Sequence, residues 1–158
     1  MTNGSGWGIM PRTRNIATAG NRAGRLARDG QEKRVIPSPV TDLKTFVPAE
    51  NAELSKQFYT DLGFTINWSN EQIAELQIGS FRFLLQTFYV AEHAGNFMMS
   101  LTVEDADLWW EHIQRLEIAK KYPGIMCRAP EMQPWGIRVL YLSDPSGVLW
   151  HITDMRKS

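Results

Sequence analysis

The stretch Asp144–Thr153, reading DPSGVLWHIT, constrains the fold of this chain more than any other. Pro145 fixes one backbone angle, Gly147 accommodates a left-handed turn position, and Asp144 can bond the backbone just beyond it. The run Val148–Thr153 that follows is dense in β-branched and aromatic residues. It predicts a strand, with a titratable group, His151, near its end. A tight turn feeding straight into a strand fixes where the chain reverses. Similar grammar occurs upstream, so the chain reads as two copies of one unit.

The first copy begins with Leu43–Val47, a strand candidate ended by Pro48. Asn51 can cap a helix over about 51–62, where Leu54, Phe58 and Leu62 repeat at i, i+4, i+8. Gly63 stands where a helix C-cap belongs. Phe64–Trp68, Ile73–Ile78 and Phe81–Gln86 read as strands, the last two joined through Gly79-Ser80. The second copy starts with a strand over Phe97–Val103. A helix over about 105–118 follows, with Leu108, Trp109, Ile113 and Leu116 on its buried side. A loop carries Pro123, Gly124, Pro130 and Pro134, with a short strand near Ile125-Met126. Strands Ile137–Leu142 and Val148–Thr153 complete the unit. The fold class predicted is α+β: two tandem β-α-β-β-β units, about 43–90 and 96–154, forming a half-open barrel around a cleft. Each unit's apolar strand faces need a second layer to cover them.

Charge divides the chain. Residues 1–40 hold seven Arg or Lys against Asp29 and Glu32, a balance of +5. The other 118 residues hold ten basic and fifteen acidic side chains, a balance of −5, so the whole chain is neutral. The first 40 residues, rich in Gly and Arg and poor in large apolar groups, read as a disordered tail beside a globular domain over 41–158. The tail has no apolar core of the kind a secretory signal needs. It could serve as an Arg-rich targeting peptide or a nucleic-acid arm, but the acidic body argues against a nucleic-acid partner. No apolar run reaches the roughly 18 residues of a membrane span. Cys127 is the sole cysteine. It excludes an intrachain disulfide and a cysteine-based metal site, fits a cytoplasmic protein, and has no histidine nearby in sequence to activate it.

The segments NAELSKQFYTDLGF (Asn51–Phe64), IAELQIGSFRFLLQ, SLTVEDAD and WGIRVLYLSDPSGVLWHITD occur in the order seen in vicinal-oxygen-chelate proteins. The chain resembles that superfamily over Leu43–Asp154, which is 112 of 158 residues. It is closest in pattern to bleomycin-resistance-like members. The superfamily also contains glyoxalase I, extradiol dioxygenases, fosfomycin-resistance transferases and epimerases.

The resemblance implies four metal-ligand positions, two per unit, usually His, Glu or Gln. Here they fall on Lys44 or a neighbour, Gln86, Met98 and His151. Lysine is a cation at neutral pH, and a thioether does not suit Mg²⁺, Mn²⁺ or Fe²⁺. Of the remaining histidines, His93 falls between the units and His112 on the exposed side of the second helix. The expectation is therefore a protein without metal or other cofactor. Its cleft is lined by Lys44, Phe46, Gln86, Met98 and His151, with Trp68, Phe88, Trp135 and Trp150 as candidate walls.

The function expected is sequestration of an aromatic or cationic small molecule, such as an antibiotic, by a homodimer. An acidic body attracts cations, and indole rings stack on them. The alternative is a glyoxalase- or dioxygenase-like lyase, isomerase or oxidoreductase that uses His151 as base or metal ligand.

Overall fold

A computed structural model describes residues 37–154. The basic tail inferred from the sequence lies almost wholly outside these residues. Within Asp42–Asp154 the order is β1 (Phe46–Pro48), α1 (Ala52–Leu62), β2 (Thr65–Ser69), β3 (Ile73–Ile78), β4 (Phe81–Gln86), α2 (Ala91–Ala94), β5 (Met98–Val103), α3 (Ala106–Arg115), α4 (Ile118–Lys121), β6 (Cys127–Met132), β7 (Arg138–Ser143) and β8 (Leu149–Asp154). The strands form two four-stranded sheets, ordered β1-β4-β3-β2 and β5-β8-β7-β6. In each sheet the first strand runs parallel to the last, and the other pairings are antiparallel. These are two tandem β-α-β-β-β units, and neither closes into a barrel.

Local chemistry explains the elements. The Asn51 side chain accepts a hydrogen bond from the Leu54 N–H at 3.0 Å, as an N-cap must. Gly63 ends α1 at φ +106°, a backbone state that penalises any Cβ. Its N–H bonds back to the carbonyls of Thr60 and Tyr59.

The two units share one core. Val47, Phe58, Tyr59, Phe64, Leu76, Phe83 and Leu85 of the first unit pack with Ile113, Leu140, Leu142, Trp150 and Ile152 of the second. Trp150 is the hinge of this packing. Its ring lies 5.7 to 5.9 Å from those of Phe83, Tyr59 and Phe64, tilted or edge-on to each. Such aromatic pairs add roughly 0.5–1.5 kcal/mol each beyond their area burial. Each unit thereby supplies the second layer that the other's apolar face requires.

The Asp-Pro-Ser-Gly turn locks this junction with polar contacts. Asp144 Oδ1 accepts from the N–H groups of Ser146 and Val148, both at 2.9 Å. Its Oδ2 accepts from the Tyr59 hydroxyl of α1 at 2.8 Å, and that hydroxyl accepts from Trp150 Nε1 at 3.1 Å. The Ser146 hydroxyl meets Ser55 of α1 at 3.2 Å and accepts from the Glu50 N–H at 3.0 Å. A turn legible in the sequence therefore fastens the second unit to the first unit's helix.

Several expectations need correction. The first strand is Phe46–Pro48 rather than Leu43–Val47. Pro48 is tolerated because it ends an edge strand paired only with β4. The expected continuous helix over 105–118 stops at Arg115, because Glu117 takes φ +53°, and it restarts as α4. Leu108 is 61% exposed, not buried, and Ala106 takes its place on the inner stripe. The proline loop contains a strand, β6, with a register shift between Arg128 and Glu131 that absorbs Pro130. A short helix, α2, was not foreseen. The other strand bounds differ by one residue at most.

Candidate functional site

Alternation along each strand divides the candidate residues between two surfaces. In β1 and β4, Val47 and Leu85 point into the core, so Phe46, Leu84 and Gln86 point outward. In β8, Trp150 and Ile152 point inward, so Leu149, His151 and Thr153 point outward. Both outer faces are directed away from the shared core.

The first sheet's outer face is organised around a carboxylate that sequence reasoning missed. Glu75 stands opposite Leu84 in β4 and opposite Trp68 in β2, and Leu84 stands opposite Phe46 in β1. Glu75 is only 5% exposed. It accepts from the Asn67 amide at 2.9 Å and forms an ion pair with Lys44. Lys44 also pairs with Asp42 at 2.9 Å, and Asp42 pairs with Arg82 at 3.1 Å. The Asn67 amide reaches Gln77 at 2.8 Å as well.

These bonds set the ionisation of the face. The Lys44 ammonium and the Asn67 amide hold the Glu75 carboxyl below the ordinary glutamate value of 4.5. Glu75 and Asp42 together raise Lys44. Lys44, the Leu43 N–H and Arg82 lower Asp42, against the smaller opposing effect of burial. Two cations and two carboxylates thus form a neutral cluster, flanked by Phe46 and by Trp68, which is 45% exposed. Gln86, the fourth candidate on this sheet, lies at the other end of β4 beside Pro48 and Ile73.

On the second sheet, His151 stands between Ser100 of β5 and Tyr141 of β7. Its ring meets Tyr141 edge-on at 4.9 Å between centroids. Met98, opposite Leu149, shares this outer face and is 62% exposed. The sheets thus bring Lys44, Phe46, Trp68 and Gln86 together on one face, and Met98 and His151 on the other. Phe88 lies just past β4, and Trp135 lies in the turn between β6 and β7. Both are exposed, and neither belongs to a sheet face. Trp150 is a buried residue of the shared core and belongs to neither outer face.

The remaining titratable candidates have other work. His112 is half-buried rather than exposed. Its Nε2 lies 3.3 Å from the Leu62 carbonyl, and its Nδ1 lies 2.9 Å from the Arg115 guanidinium, tying α3 to the end of α1. His93 is exposed on α2. Burial pushes the Cys127 thiol up, away from the reactive thiolate.

The residues at the four positions that the resemblance assigns to metal ligands, Lys44 or a neighbour, Gln86, Met98 and His151, do not suit a divalent ion. Lys44 brings a positive charge committed to two carboxylates, and Met98 brings a soft sulfur. Gln86 and His151 stand on different sheets. Among the described residues no group of three or more His, Cys, Asp or Glu is placed to share a metal ion.

Comparison with known proteins agrees with the architecture. Residues 43–152 match the model of the glyoxalase/bleomycin resistance protein/dioxygenase superfamily. The chain belongs to that superfamily. No curated protein matches it in sequence. Among solved structures, it resembles a bleomycin-binding protein complexed with bleomycin (22% identity, TM-score 0.65, 74% of this chain and 100% of that one). It also resembles a bleomycin resistance determinant encoded on the transposon Tn5 (24% identity, TM-score 0.59, 72% and 98%). A third relative in fold is lactoylglutathione lyase from Agrobacterium tumefaciens (18% identity, TM-score 0.56, 75% and 96%). At these identities the likeness establishes the fold, which binding proteins and an enzyme share.

Proposed function

We propose that this chain is a small-molecule binding protein of the bleomycin-resistance type, which holds a partly aromatic or cationic ligand without a divalent ion. The observation that carries this reading is the clamp on Lys44. At the position where metalloenzymes of the superfamily place their first ligand, this chain places an ammonium fixed between Asp42 and Glu75. What remains suits reversible binding. Trp68 offers an exposed ring for stacking, Gln86 and His151 offer hydrogen bonds, and the −5 balance of residues 41–158 draws cations. His151 packs against the Tyr141 ring, and among the described residues no carboxylate orients it in the way that holds a catalytic imidazole.

The exposed apolar groups Phe46, Trp68 and Met98 on the outer faces support a homodimer. In it, the first sheet of one chain would oppose the second sheet of its partner and enclose the ligand. Sedimentation at micromolar concentration should give a dimer, and a monomer alone would contradict that arrangement. A thermal-shift screen with bleomycin and other aromatic cations tests the binding role. A ligand at 100 times its Kd adds about 2.7 kcal/mol of stability. The absence of any stabilising compound among aromatic cations, with turnover of a glyoxalase or dioxygenase substrate instead, would overturn the reading.

A further inference from the structure

We propose that a cavity between the two units, on the inner side of the sheets, is a second binding site that takes a small uncharged aromatic molecule such as an indole or a phenol. The cavity has a volume of about 350 Å³, at the lower end of the range for small-ligand pockets. It lies between the hairpin joining β3 to β4 and the strand β5.

Three buried rings line it: Phe64, Phe83 and Trp150. They are the rings whose edge-on and tilted contacts join the units, so they are held rigidly before any ligand arrives. Met99 and Leu101, the inward-facing residues of β5, add apolar wall but stay half-exposed. Phe81 at the hairpin is exposed. Apolar surface turned toward an open cavity is surface that a ligand would remove from water. A flat ring suits it, because aromatic walls favour edge-to-face and offset contacts.

Charge selects further. Among the described residues, the one charged residue in the lining is Arg82, which already pairs with Asp42 at 3.1 Å, inside the neutral cluster with Lys44 and Glu75. A carboxylate or an ammonium entering the cavity would lose hydration and find no unneutralised counter-charge. Ser100 and Thr102 line the cavity with backbone alone, because their side chains alternate to the outer face, where the Thr102 hydroxyl lies 3.4 Å from that of Thr153.

The test uses the full chain, with indole and phenol as neutral probes and benzoate and benzylammonium as charged ones. NMR titration should move the Trp150 indole N–H signal saturably with indole, at a Kd near or below about 1 mM. The charged probes should bind at least about tenfold more weakly. Leu101→Trp fills the cavity and should raise the Kd for indole by about tenfold or more. Met99→Phe serves the same purpose if that variant fails to fold. Trp68→Ala alters only the outer face and should leave the indole titration unchanged, which separates this inference from the proposed function. No saturable shift of the Trp150 signal up to the solubility of indole would overturn the proposal. So would binding that survives both filling variants but is lost in Trp68→Ala, or equal binding of charged and neutral probes.

Discussion

Replacing Tyr59 by Phe removes one oxygen atom from the junction between the units. That hydroxyl is fully buried, donates to Asp144 Oδ2 at 2.8 Å and accepts from Trp150 Nε1 at 3.1 Å. Its loss leaves a buried carboxylate oxygen and a buried indole N–H without their partner. Each orphaned group costs about 1–3 kcal/mol, partly offset because a phenyl ring needs no hydration. Asp144 keeps its two bonds on Oδ1, so the total expected is about 3 kcal/mol. For a domain of this size that corresponds to roughly 10 °C in Tm.

The loss should also depend on pH. Burial raises the Asp144 carboxyl above its ordinary 3.8, while Tyr59 and the Val148, Ser146 and Gly147 N–H groups pull it back. A carboxyl raised in the folded state favours folding when protonated, and that benefit fades as pH climbs through the folded pKa. Removing the Tyr59 donor raises the folded pKa further, so the variant suffers more at pH 7 than at pH 4. Urea unfolding at both pH values measures this directly. A loss under about 0.5 kcal/mol at pH 7, or one identical at pH 4, would refute the argument that this hydroxyl supports an ionised, buried Asp144.

Other outcomes follow from the same geometry. The Glu75 carboxyl is depressed in the fold, so its contribution should be complete above pH 4.5 and fade as pH falls below it. Glu75→Gln should flatten that part of the stability profile, and an unchanged acid limb would contradict the ion pair. His151→Ala should weaken ligand binding while leaving Tm nearly unchanged, because the ring lies on an outer face, edge-on to Tyr141, rather than in the core. A collapse of the fold would make His151 structural. Asn51→Ala removes the cap on α1 and should cost about 1 kcal/mol by denaturant unfolding.

The fold was legible wherever local pattern and tertiary demand agree. The Asn51 cap, the Gly63 stop and the strands Ile73–Ile78 and Phe81–Gln86 are visible in sequence and stand where expected. Leu108 shows how a hydrophobic residue misleads. At 100° per residue, Ala106, Trp109, Ile113 and Leu116 share a stripe, and Leu108 stands about 120° round the helix from its centre. A small residue defines that stripe, and a large one lies off it. Pro48 and Pro130 displaced the expected bounds of two strands, because proline argues against a ladder. Both sit on edge strands, β1 and β6, where a missing N–H is tolerated.

The site was legible in its residue types but not in its wiring. Lys44 was placed at a ligand position, yet its partner lies 31 residues onward in β3. They meet because β1 inserts beside β4, so that Phe46, Leu84 and Glu75 fall in one row. Nothing local in the sequence of β3 distinguishes Glu75 from an ordinary solvent-facing strand residue. Trp150 illustrates the reverse. Its neighbour His151 drew attention to the strand, but alternation makes one of them face outward and the other the core.

Calorimetric titration of bleomycin into protein purified without chelator, and again after exhaustive chelation, tests the central claim most directly. The account predicts substoichiometric metal before chelation and the same Kd on both sides of it. A stoichiometric divalent ion in the purified protein, with binding or turnover abolished when it is removed, would contradict the account and make Lys44 a bystander to a metal centre.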